Sequence, residues 1–211
     1  MSRAALRAIG RDRRGVTIIE FALIVPLLLF AILGLLELAN VALQRQRVSQ
    51  AALLIADNAG RLGNMGMMGP EKITEAQIND ALISAEVQQP QLELAARGRV
   101  ILTSLEYNKD GGQWLHWQRC RGALVHASSW GEERDGEHGR SVAGMGPSSA
   151  RITADPDQPV MFVEIAYRLQ PLIFPALVDD DPIVEIAAMP LRVERDTSSV
   201  IAGDATKSNC R

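Results

Sequence analysis

The sequence predicts an α+β protein in which one long N-terminal helix packs on an antiparallel β-sheet of about four strands. Three observations predict it. The run from Val16 to Leu36 is apolar and long enough for a helix that crosses a bilayer. Apolar residues then keep helical spacing as far as Arg61. Beyond residue 98 the pattern changes to short β-branched or alternating segments separated by turn signals.

The first segment, 1–15, reads as a basic cytoplasmic leader. Arg3, Arg7, Arg11, Arg13 and Arg14 stand against Asp12 alone, a side-chain charge of +4. The 211-residue chain has a formal net charge of −3, so the remainder carries −7. A short basic head directly before an apolar run marks the flank that stays in the cytoplasm, and it outnumbers Arg45 and Arg47 on the far side. Nucleic-acid binding is not expected, because that function needs basic residues spread over a folded face.

Residues 16–36 read as the transmembrane helix, with Thr17 and Glu20 its only polar side chains. Pro26 lacks an amide hydrogen and is expected to kink it. A cleaved secretory signal peptide is the competing reading. The apolar run is longer than such peptides use, and no A-x-A site closes it. Residues 37–62 read as an extracytoplasmic continuation, with Leu38, Val41, Ala42, Val48, Ala52, Ile55 and Ala59 forming one apolar stripe.

Residues 63–97 read as a loop and a second helix. The stretch Gly60 to Pro70 is rich in Gly and Met, and Met65, Met67 and Met68 are either an adaptable contact surface or a loose loop. Glu71 to Glu86 resumes a helical pattern through Ile73, Ile78, Leu82 and Ala85, and Pro90 ends it.

Residues 98–211 read as a β-rich periplasmic domain. Arg99 to Tyr107 and Gln113 to Cys120 flank the turn signal Asn108 to Gly112 and predict a hairpin. Gly122 to Gln158 reads as a long surface excursion. In Val160 to Leu169, Met161, Val163, Ile165 and Tyr167 point one way, Glu164 and Arg168 the other. Ile183 to Val193 is a further strand, whose Pro190 belongs at an edge or bulge.

Cys120 and Cys210 both follow the apolar run. An even cysteine count outside the cytoplasm predicts a disulfide, with two free buried thiols as the alternative. The loop such a bridge closes is long enough for about 4 to 5 kcal/mol in the chain-entropy account.

Catalytic and metal chemistry find little support. His116, His126 and His138 lack zinc spacing. The runs Glu132 to Asp135 and Asp179 to Asp181 read as solvated loop charges, the latter without a calcium-loop pattern. Ser128, Ser129, Ser148 and Ser149 lack a G-x-S-x-G context. Trp114, Trp117 and Trp130 are more simply a packed sheet face than a ligand stack. A non-enzymatic protein without cofactor or metal is expected.

The junction Arg13-Arg14-Gly15-Val16-Thr17-Ile18-Ile19-Glu20-Phe21 is the most informative stretch. A carboxylate inside an apolar span is costly, by up to about 3 kcal/mol on insertion scales, which makes a functional role the default. If the chain is cut after Gly15, Val16 gains a free amine. That cation and a neighbouring subunit's Glu20 would pair in a low-dielectric setting and set axial register. The alternative is that Glu20 snorkels to the cytoplasmic headgroups.

The string R-R-G-V-T-I-I-E-F-A-L resembles the processing site of type IV prepilins. From Arg14 to about Leu62 the chain resembles the TadE-like pseudopilins of the tight-adherence (Tad/Flp) pilus system. The resemblance implies cleavage between Gly15 and Val16 by a membrane prepilin peptidase. It also implies a recognition and register role for Glu20, and a pilus-assembly function in an adhesion system. Phe21 stands where this group often has tyrosine. The implied partners are inner-membrane lipid, the peptidase and other pilin or pseudopilin subunits. The implied location is the bacterial inner membrane, single-pass, with the N-terminus cytoplasmic and the C-terminal domain periplasmic or extracellular. Two rival readings are a single-pass anchored ligand-binding or sensor domain, and a secreted protein released by signal peptidase.

Overall fold

The computed structural model describes residues 14–63, 72–192 and 196–210. The leader residues Arg3, Arg7, Arg11 and Arg13, and the group Met65, Met67 and Met68, lie outside the described residues. The chain forms two compact units. One consists of the residues up to Ala42 with Gln170–Val178, the other of Leu43–Leu169 with Asp179–Arg211. Helix α1, Arg14–Ala59, runs for 46 residues and contributes to both. Pro26 lies inside it, and the helix continues on both sides.

In the first unit, most large hydrophobic side chains from Val16 to Leu36 are 45–72% exposed. A helix apolar all round and uncovered by its own chain belongs in lipid. At 1.5 Å per residue this stretch is about 31 Å long, the thickness of a hydrocarbon core.

The second unit is a four-stranded antiparallel sheet buried on both faces. After α1 come β1, Lys72–Thr74, and α2, Glu75–Gln88. Thr74 starts α2 by a reciprocal cap: its hydroxyl accepts the Gln77 N–H and the Gln77 side chain accepts the Thr74 N–H. A 3-10 turn at Pro90–Leu92 and one α-turn, α3 (Leu94–Arg97), lead into β2, Gly98–Tyr107. The remaining strands are β3 (Gln113–Arg121), β4 (Val160–Tyr167), β5 (Ile183–Pro190) and β6 (Asp196–Ile201). The sheet order is β3-β2-β4-β5, and β6 pairs with β1 in parallel.

Strand register sorts side chains to two faces. Val100, Leu102, Met161, Val163 and Ile165 share one face with Arg119. Arg119 reaches Glu75 and Arg121 reaches Glu86, so α2 lies over that face. The end of α1 meets the same side at β5, where Gly60 approaches Met189 and Asp57 pairs with Arg192. Within this unit Val48, Ala51, Ala52, Ile55, Ala56 and Ala59 of α1 are fully buried. Their 3–4-residue spacing is the expected stripe. Leu38 and Ala42 were expected on it and are exposed; Glu37 and Gln44 are buried instead.

The opposite face carries Leu105, Leu115, Val160 and Phe162, which pack with Met145 and Ala154 from the excursion between β3 and β4. That excursion lies at the surface along most of its length and also roofs the sheet through these two buried residues. Such a roof keeps few strands solvated, and all of β4 is buried. The register skips His116 between Trp117 and Leu115, so this one-residue bulge turns Leu115 inward. Gly122, at φ +110°, opens the excursion where a Cβ would collide with the Gly98 carbonyl.

Candidate functional site

The sequence-predicted site lies at the start of α1. Gly15 and Val16 fall in the first helical turn, and Glu20 and Phe21 follow within the exposed apolar surface. Glu20 has no hydrogen-bond or ion-pair partner among the described residues. Residues 16 and 20 are four apart, so they share one helix face. Glu20 lies beside Ile18, Ile19 and Phe21, all exposed.

A second acid, Glu37, was not singled out from sequence, and it organises the outer end of the apolar run. Its side chain is fully buried. It accepts the N–H groups of Leu172 (2.9 and 3.1 Å), Ile173 (2.6 Å) and Phe174 (2.9 Å). Asn40, one turn on, donates to the Gln170 carbonyl at 2.8 Å and lies 3.5 Å from Glu37 Oε1. Phe174 packs on Phe30 with ring centroids 5.4 Å apart. The segment held this way belongs to the connection between β4 and β5. An acid at the end of an apolar run reads from sequence as the first residue in water. Only its three backbone donors, some 135 residues away in sequence, reveal its role.

Cys120 and Cys210 are joined by a disulfide with a sequence separation of 90. Around it the C-terminal tail is pinned to its neighbours: Ser208 accepts the Cys120 N–H with its carbonyl, and Asn79 of α2 binds Thr206 and Ser208. A polar groove of about 570 Å³ borders the bridge, lined in part by Gln118, His126, Glu133, Arg134 and Lys207. Of its charges, Glu133 pairs with Arg119 and Lys207, and Arg134 with Glu137. Glu133, an exposed loop charge, thus also ties β3 to the tail.

The residues discounted for catalysis have structural work. Ser128, Ser129 and His126 all bind Glu164, which is fully buried on the roofed face, and so anchor the excursion to β4. His116 bonds Glu106 at 2.9 Å and stacks on Trp114, while His138 is exposed. Among the described residues, no three metal-binding side chains are gathered. Trp117 is buried beneath the Arg119 guanidinium, and Trp130 packs on the roofed cluster.

Residues 15–57 match the family model described as TadE-like protein. The match begins at Gly15 and covers most of α1, leaving the sheet, the excursion and the disulfide outside it. No curated protein and no solved structure matches the chain. Over that segment the chain is similar to TadE-like proteins, and the exposed helix that carries the match is long and apolar enough to cross a membrane.

Proposed function

We propose that the chain is a pilin-like subunit that acts in assembly of a Tad-type pilus and is processed after Gly15. The observation that carries the reading is one coincidence. The basic head ends and the family match begins at Gly15, the apolar run of the helix starts at the next residue, and five residues beyond the glycine stands a carboxylate with no partner among the described residues. A membrane prepilin peptidase would cut between Gly15 and Val16 while the leader stays in the cytoplasm. The freed Val16 ammonium would then meet Glu20 of a neighbouring subunit as helices pack side by side. In a low dielectric such a pair fixes register more than it adds net stability, because desolvation offsets much of its attraction. Gly34, with Ala31 and Ala39 near it, lets another helix approach closely.

N-terminal sequencing of the protein from its native membrane tests the reading. A start at Val16 is expected. An intact leader in cells that assemble the pilus normally would sink it, and a start beyond Leu36 would mean release by signal peptidase. Glu20→Ala is expected to insert in the membrane as before but to lose processing or pilus assembly.

A further inference from the structure

Residues 170–178 read QPLIFPALV, with no charge until Asp179-Asp180-Asp181. Leu172 is 63%, Leu177 50% and Ile173 37% exposed. Phe30, which receives Phe174, lies seven residues before Glu37, about 10 Å down the helix and inside the apolar run. The exposed surface of the segment is therefore continuous with that of the spanning helix.

We infer that this segment is a membrane-inserted wedge, seated among the lipids of the extracytoplasmic leaflet beside α1. The inference rests on the reading that Val16–Leu36 spans the bilayer. Two features single out lipid as the occupant. The first is the continuity of apolar surface from helix to segment. The second is how the backbone is satisfied. Non-helical chain survives at membrane depth only where its polar groups are bonded within the protein. Here Glu37 takes the N–H groups of Leu172, Ile173 and Phe174. Leu177 and Val178 donate to the carbonyls of Phe174 and Pro175. Pro171 and Pro175 have no N–H to satisfy. Water, or the edge of a protein partner, would make this internal capture of five N–H groups unnecessary. The negative run after Val178 marks the return to water, where charged groups are hydrated.

The test uses the full chain in lipid nanodiscs, with its native disulfide intact and one added thiol carrying an environment-sensitive fluorophore. Reporters are placed by Leu172→Cys and Leu177→Cys in the segment, Leu28→Cys in mid-span, and Val125→Cys at a position 98% exposed in the other unit. Nanodisc lipids carry a spin-label quencher either near the headgroup or near the acyl-chain end. The segment reporters are expected to lose most of their emission to the shallow quencher, Leu28→Cys to the deep one, and Val125→Cys to neither. Unquenched segment reporters beside a quenched Leu28→Cys would overturn the wedge and leave the span standing. Shielding that grows with the protein-to-lipid ratio would also overturn it, in favour of a second copy as the cover. An unquenched Leu28→Cys would mean that the spanning reading itself has failed. Adding Glu37→Gln, which withdraws one strong acceptor oxygen, is expected to abolish shallow quenching of the segment while Leu28→Cys is unchanged. Full quenching in that variant would remove Glu37 from the mechanism.

Discussion

Buried carboxylates do much of the organising at the residue scale. Glu37, Glu75 and Glu164 are each almost wholly buried, and each is bonded to donors far away in sequence. Glu75 receives the Arg119 guanidinium through bonds of 2.6 to 3.0 Å. A buried pair stabilises little relative to an apolar replacement, but breaking it leaves one charge stranded. Glu75→Leu leaves Arg119 its ion pair with the more exposed Glu133 and is therefore expected to cost about 3 kcal/mol, the low end for a broken buried pair, and Glu75→Leu with Arg119→Leu to recover most of that loss. Denaturant unfolding of the detergent-solubilised chain, followed by tryptophan emission, checks both. Glu133 is a different case. Burial pushes its carboxyl up, but the Gln118 N–H and the charges of Arg119 and Lys207 outweigh this and hold it below its ordinary value. A depressed folded value contributes stability that is present above the unfolded value and lost as pH falls through the folded one. Glu133→Gln should thus flatten the acid side of the stability profile and leave its slope near neutrality unchanged.

Among the elements, the excursion between β3 and β4 decides how the sheet is used. Without that roof, Phe162, Leu105 and Leu115 would face water. Its anchors include Glu164 binding Ser128 and Ser129, the Asn108 side chain donating to Gly136 and Gly139, and Gln113 exchanging two bonds with Ala154. Phe162 is fully buried at the centre, so Phe162→Ala is expected to cost about 3 to 5 kcal/mol in the same unfolding experiment. The hairpin, β4, β5 and α2 were legible in the sequence, because alternation, turn residues and helical spacing are local signals. The roof was not, because its apolar residues, Met145, Val142 and Ile152, are scattered singly among glycines and charges with no period. Strand β6 escaped for a related reason. Its sequence, DTSSVI, is mostly polar, and it is a strand because β1 and Glu106 take it up.

For the molecule as a whole, two solvents have written two patterns into one chain. The run from Val16 to Leu36 leaves its apolar side chains exposed and is long enough to cross a bilayer, whereas the doubly covered sheet buries its apolar residues against its own chain. The charge asymmetry between the leader and the remainder gives the expected direction of insertion. Ser2→Cys and Val125→Cys should accordingly react with a membrane-impermeant maleimide from opposite sides. Intact spheroplasts are expected to label Val125→Cys alone, and labelling of Ser2→Cys alone would reverse the topology.

What the sequence determined by itself was the long apolar helix, the basic-to-apolar junction at Gly15 with Glu20 and Phe21, the α+β class and the core strands. Each of these follows from composition or period within some twenty neighbouring residues. Tertiary structure alone decided that Glu37 faces three amides from the β4–β5 connection, that Glu164 faces the excursion, and which face the excursion covers. A buried carboxylate is tolerated only where donors converge on it, and convergence of distant segments leaves no periodic mark in the chain.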